Sequence, residues 1–233
     1  MAHPQQQNFI ALIKSAFPGF FAGGRVLEIG SLDINGSVRS HFAAQEYIGL
    51  DVGPGPGVDV VCQGQNYDAQ DGTFDVVVSC ETMEHNPYWR ETLANMLRLC
   101  RPGGLVLITC ATTGRPEHGT RRTTPKDAPL IEWDYYGNRT AADFRRVLDL
   151  TAPVTAAVFC IDMSFCDLFF AGFRAGAQAP ANAQATLNAI RRRYLLANAR
   201  NWSALRKQVL IRLVGEERYW AGSLLPWKHP RGV

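Results

Sequence analysis

The stretch Arg25 to Arg39, RVLEIGSLDINGSVR, limits the fold of this chain more than any other. Val26, Leu27 and Ile29 form a short buried strand that stops at Gly30. A polar turn follows, Ser31-Leu32-Asp33-Ile34-Asn35-Gly36, and a helix is expected from Ser37 through Val38, His41 and Phe42. A strand that breaks at glycine and feeds a helix N-terminus presents backbone N–H groups to a ligand. Gly30 lets that ligand come close to the main chain. Glu28 is the odd residue, because a carboxylate buried in an apolar strand is costly without a partner.

The surrounding sequence repeats the same grammar. Gln5 to Phe17 places Phe9, Leu12, Ile13 and Phe17 at helical spacing, and Pro18-Gly19 ends it. Glu46 to Asp51 is a second strand ending in an acid. The turn Gly53-Pro54-Gly55-Pro56-Gly57 leads to a third strand, Val58 to Cys62, with no helix between. Phe74 to Cys80, FDVVVSC, is apolar enough to be a central parallel strand buried on both faces. A helix is expected from Pro87 to Cys100, stopped by Arg101-Pro102-Gly103-Gly104, and a fifth strand from Leu105 to Cys110. Alternating strands and helices predict an open, mostly parallel α/β sheet, whose ligands bind beyond the carboxyl ends of the strands.

The second half reads differently. Residues 111–139 form a long irregular stretch carrying His118, Trp133, Tyr135 and Tyr136. Loops of that length inside a domain are usually functional or disordered, and the aromatics argue against plain disorder. A helix follows from Ala141 to Leu150, then two strands, Val154 to Asp162 and Leu168 to Arg174, joined tightly enough to be an antiparallel hairpin. After a linker at Ala177 to Asn182, helices are expected at Ala183 to Ala199 and Trp202 to Trp220, with Gly215 a weak point.

Composition narrows the function. Hydrophobic residues make up 46% of the chain and charged residues 19%, so it should bury a core. The net charge of +3 is too small to require a polyanionic partner, but residues 181–233 carry ten Lys/Arg against two Asp/Glu. A solvated helical face is the favoured explanation for that excess, and an RNA contact the sharper one. The six cysteines form no CxxC pair and sit mostly in apolar runs. They predict reduced core thiols in a cytoplasmic protein, with no metal site. Neither a signal peptide nor a membrane span is expected.

Taken together, the EIG at the first strand's end, Asp51 ending the second, FDVVVSCETMEH at the fourth and LCRPGG before the fifth resemble class I S-adenosylmethionine-dependent methyltransferases. The terminal hairpin resembles that family's antiparallel last strand. The pairing of EIGS and NGSVR with D-GPGPGVDVV resembles a bacterial small-molecule subgroup that lacks a full helix after strand two. The resemblance implies a mostly parallel, seven-stranded Rossmann-like sheet over residues 1–176, with 111–139 as lid and substrate loop. A helical extension, 177–233, would follow.

It also implies roles. Glu28, Gly30 and Ser31 would meet the amino-acid end of S-adenosylmethionine, with Asn35 in the later part of the motif. Asp51 would accept the ribose hydroxyls and Val52 pack on adenine. Gln63 and Gly64 would meet the adenine edge, and Cys80 and Glu81 the methionine portion. The chain departs from the family at Leu32, where a second motif glycine is usual, and at Cys62-Gln63, where an acid is usual.

The expected activity is methyl transfer to a small acceptor, favouring oxygen because no Asn-Pro-Pro-Tyr signature stands after strand four. His118, His85 and Glu81 are the candidate catalytic groups, in that order. His118, Trp133, Tyr135 and Tyr136 are the candidate substrate wall. Alternatives are an RNA methyltransferase using the basic tail and a non-catalytic cofactor-binding module. A nicotinamide enzyme is disfavoured by the lack of GxGxxG. Self-association through the terminal helices is left open.

Overall fold

The computed structural model describes residues 2–151 and 154–222. The chain runs α1 (Pro4–Ala16), β1 (Arg25–Ile29), β2 (Glu46–Asp51), β3 (Val60–Val61), β4 (Phe74–Cys80), α2 (Trp89–Leu99) and β5 (Cys100–Ala111). It continues with α3 (Ala141–Thr151), β6 (Val154–Asp162), β7 (Asp167–Arg174), α4 (Ala183–Ala199), α5 (Trp202–Val214) and α6 (Glu216–Gly222). The expected extension past residue 222 lies outside the described residues.

Seven strands form one sheet in the order β3-β2-β1-β4-β5-β7-β6. The first five are parallel, and β7 runs antiparallel to both β5 and β6. The strand order reverses between β1 and β4, which opens a crevice at their carboxyl ends. The valine run of β4 is explained by burial on both faces. Val76 and Val78 join Phe9, Ile13 and Phe169 on the α1 and α4 side, while Val77 joins Leu93, Met96 and Phe144 on the α2 and α3 side. Ala183, Leu187 and Ile190 of α4 belong to the first of these clusters, so the extension begins as part of the core.

Three expectations need correction. No α-helix follows β1; Arg39–His41 is a single 3-10 turn. The Arg39 guanidinium donates to the Tyr47 carbonyl at 3.1 Å and pairs with Asp59 at 2.9 Å, which ties this segment down as a loop. The third strand shrinks to two residues, because Val58 and Asp59 are drawn into the glycine turn by bonds to Gly55 and Gly49. Arg101 to Gly104 do not separate helix from strand: α2 passes directly into β5, and these residues bulge out between the Phe74↔Cys100 and Val76↔Leu105 pairs. Gly215, the expected weak point, does end α5 with φ +86°.

Candidate active site

An open cleft lies at the carboxyl ends of β1, β2 and β4. Its floor is Ile29, Gly30, Leu50, Asp51 and Val52. One wall is Cys62 to Gln65, another is Glu81, Thr82, His85 and Asn86, and the roof is Asp127 to Ile131 with Trp133.

The β1–β2 side is fully organised by backbone bonds. The Gly30 and Ser31 amides both donate to the Leu50 carbonyl at 2.9 Å, and the Asp33 amide donates to Pro56 at 2.8 Å. The N–H groups expected to be offered to a ligand are therefore largely engaged within the protein. Gly30 has φ +81°, and a Cβ there would stand 1.8 Å from Thr82 Oγ1. Close packing against the β4 exit requires this glycine.

Leu32 fits where a glycine is usual because the neighbouring turn makes room: a Cβ on Gly55 would come within 2.3 Å of its side chain. Asp51 is held by the Leu32 amide at 3.0 Å on one oxygen and the Val52 amide at 2.8 Å on the other. Each oxygen keeps acceptor capacity directed at the cleft.

The β4 exit is built differently. Glu81 sits in the left-handed region with φ +51°, a strained setting for a residue with a side chain. Its Oε1 accepts from Thr109 Oγ1 at 3.0 Å. Glu84 is fully buried; its Oε1 accepts from the Ala111 amide at 3.0 Å, while Oε2 has no partner. Burial pushes both well above the usual carboxylate range, with the Glu84 charge adding to the rise at Glu81 and the Asp167 charge to that at Glu84. Arg115, bonded to Asp167 at 3.2 Å, is the guanidinium that partly offsets them. His85 is buried with neither ring nitrogen hydrogen-bonded, and its carbonyl accepts from Trp133 Nε1 at 2.6 Å. His118 meets it edge-on at 4.9 Å, and Tyr136 lies 4.9 Å from His118. Burial lowers both imidazoles to about 4.

A family profile described as "Methyltransferase domain" matches residues 1–157. The chain belongs to that methyltransferase family, the class I S-adenosylmethionine-dependent enzymes. Among solved structures it is similar to the CurJ carbon methyltransferase, at 17% identity and TM-score 0.53 over 73% of this chain and 54% of that one. It is also similar to Haemonchus contortus phosphoethanolamine N-methyltransferase 2, at 16% and 0.54 over 74% and 53%. A Mesorhizobium loti S-adenosylmethionine-dependent methyltransferase matches at 15% and 0.50 over 72% and 98%. The chain thus spans about half the length of the first two. Identities this low speak for the fold alone. No curated protein sequence matches it.

Of the residues singled out from this methyltransferase's sequence, Gly30, Asp51, Val52, Gln63, Gly64, Glu81, His85 and Trp133 line the cleft. Others lie off it. Glu28 is buried within the sheet and accepts from Tyr47 Oη at 2.8 Å. Cys80 is fully buried in the α1-side core, where burial raises its thiol to about 12. Ser31 is buried beside Gly49, and Asn35 is exposed.

His118 and Tyr136 stand behind His85, and Tyr135 accepts from the Arg139 guanidinium. Gln63 Oε1 already accepts from Gln65 at 2.8 Å. Sequence reasoning missed Thr82 and Asn86, and singled out none of Asp127 to Ile131, although these roof residues fall within the stretch expected as lid. Thr82 was within reach of it, since a glycine as tight as Gly30 implies a bulky neighbour.

No helix among the described residues is long and apolar enough to cross a membrane.

Proposed function

We propose that the cleft binds S-adenosylmethionine and that the enzyme methylates a small acceptor at oxygen. The carrying observation is Asp51, a cleft-facing carboxylate fixed by two amides beside the close-packed Gly30 turn. A ribose needs two acceptors in fixed geometry, and an anchored carboxylate supplies them. Gln63 and Gly64 would border the adenine and Glu81 the methionine portion. When bound, the cofactor would supply an activated methyl to an acceptor oxygen that has given its proton to water, with the sulfur keeping the electron pair of the broken C–S bond.

The protein's task is then alignment and exclusion of water. Glu81, His85 and Trp133 stand at the end of the cleft where an acceptor would enter. With its imidazole lowered to about 4, His85 is a weak base and acts better as a neutral hydrogen-bonding group. The roof at residues 127–133 limits the acceptor to a small molecule. The Haemonchus contortus enzyme, solved with phosphomonomethylethanolamine and S-adenosylhomocysteine, is a neighbour of the same fold that supports this class of acceptor. Calorimetry with S-adenosylmethionine, S-adenosylhomocysteine and NAD tests the reading. Binding of the first two is expected; binding of NAD alone overturns it.

A further inference from the structure

Behind the cleft wall the chain gathers a second set of groups that methyl-donor binding does not use. The ligand-capable atoms of Glu84, His85 and His118 all lie within 4.8 Å of one another. Glu84 and His85 are almost wholly buried, at 0% and 3% exposed. Glu84 Oε2 and both ring nitrogens of His85 lack any hydrogen-bond partner. Buried polar atoms are nearly always paired, because an unpaired one costs about 1–3 kcal/mol. One atom from each of Glu84 and His85, both incompletely bonded, lies close to one from His118, which marks a space built for something that binds them.

The chemistry of the set says what. His118 donates from Nδ1 to the Pro116 carbonyl at 3.1 Å, which leaves Nε2 with its lone pair. A backbone carbonyl fixing one imidazole nitrogen is the usual support for a histidine that ligates through the other. Two imidazoles and a carboxylate suit divalent first-row transition metals better than magnesium or calcium, which take oxygen ligands.

The geometry points to a divalent transition-metal site formed by Glu84, His85 and His118, at the acceptor end of the cleft. Ligand atoms around a bound ion stand roughly 3–3.5 Å apart, so a separation at the 4.8 Å limit must close by roughly 1.3–1.8 Å. His118 lies on the irregular loop between β5 and α3, the most adaptable of the three supports. His85 belongs to both the ion site and the cleft wall. An ion there keeps open positions for an acceptor oxygen and would make its hydroxyl more acidic, as a Lewis acid does. That last role rests on the proposed methyl transfer; the ion site itself does not.

The test uses the full chain stripped with a chelator and titrated separately with zinc, manganese and cobalt chlorides by calorimetry. At least one ion should bind at one per chain. Glu84→Gln and His118→Ala should each weaken it roughly tenfold to hundredfold. Thermal melts check that both variants are folded, and His118→Gln replaces His118→Ala if that variant is not. Cobalt should show visible bands that both substitutions alter. Failure of all three ions to bind overturns the site, as does unchanged affinity in either variant. S-adenosylhomocysteine is titrated into the same samples. Binding of S-adenosylhomocysteine without any ion refutes only the metal site, and binding of an ion without S-adenosylhomocysteine refutes only the cofactor reading.

Discussion

The exits of β1 and β4 face each other across one cleft and are built on opposite plans. At β1 the backbone amides of Gly30, Ser31 and Asp33 are bonded, and Asp51 is clamped by two more. The buried Glu28 beneath has its tyrosine hydroxyl. At β4 a strained Glu81 leads to buried groups that lack partners, Glu84 Oε2 and the His85 ring. A satisfied network is rigid and holds one geometry; an unsatisfied one stores free energy that a ligand can release. The first suits recognition of an invariant cofactor, the second chemistry on a variable acceptor.

The contrast can be broken most severely at Gly30. Gly30→Ala should cost about 3 kcal/mol, because its methyl meets Thr82 Oγ1 at 1.8 Å on a positive-φ backbone. Denaturant unfolding measures it, and the double variant with Thr82→Ala should recover part of the loss. Asp51→Ala should weaken S-adenosylhomocysteine binding by about 2–3 kcal/mol, near a hundredfold, in calorimetry. Its effect on folding should be smaller, since Asp51 is only partly buried.

Tyr47→Phe removes the donor to Glu28 and should cost about 1–2 kcal/mol at neutral pH. It makes a β1-side carboxylate resemble Glu84. Glu28→Gln is the gentlest. Burial raises the Glu28 carboxyl, so the folded state holds its proton to higher pH than the unfolded chain. Its contribution to stability is present below the unfolded value, about 4, and is lost as pH rises through the folded value. The variant should therefore gain melting temperature over wild type as pH increases, and the two should converge in acid.

These outcomes also mark what a sequence can disclose. The position of most strands along the chain followed from hydrophobic runs with acids and glycines at their ends, since burial and backbone freedom are local demands. The terminal hairpin and the break at Gly215 were legible for the same reason. The missing helix after β1 was not. Arg39 binds Tyr47 and Asp59, partners fixed only once the sheet has formed. The lining at Gly30, Asp51 and His85 could be read from position on the strands. The roof and the meeting of His118 with His85 could not, because residues 111–139 carry no periodicity to say where they return. Glu28 has a partner the sequence order did not reveal, the Tyr47 hydroxyl on the neighbouring strand.

The central claim is that the Asp51 side of the cleft holds the cofactor and the Glu81–His85 side faces the acceptor. Crystals soaked with S-adenosylhomocysteine test it most directly. The ribose hydroxyls should lie within hydrogen-bond distance of Asp51, with sulfur toward Glu81 and His85. A ribose turned away from Asp51, or a ligand outside this cleft, would contradict the account.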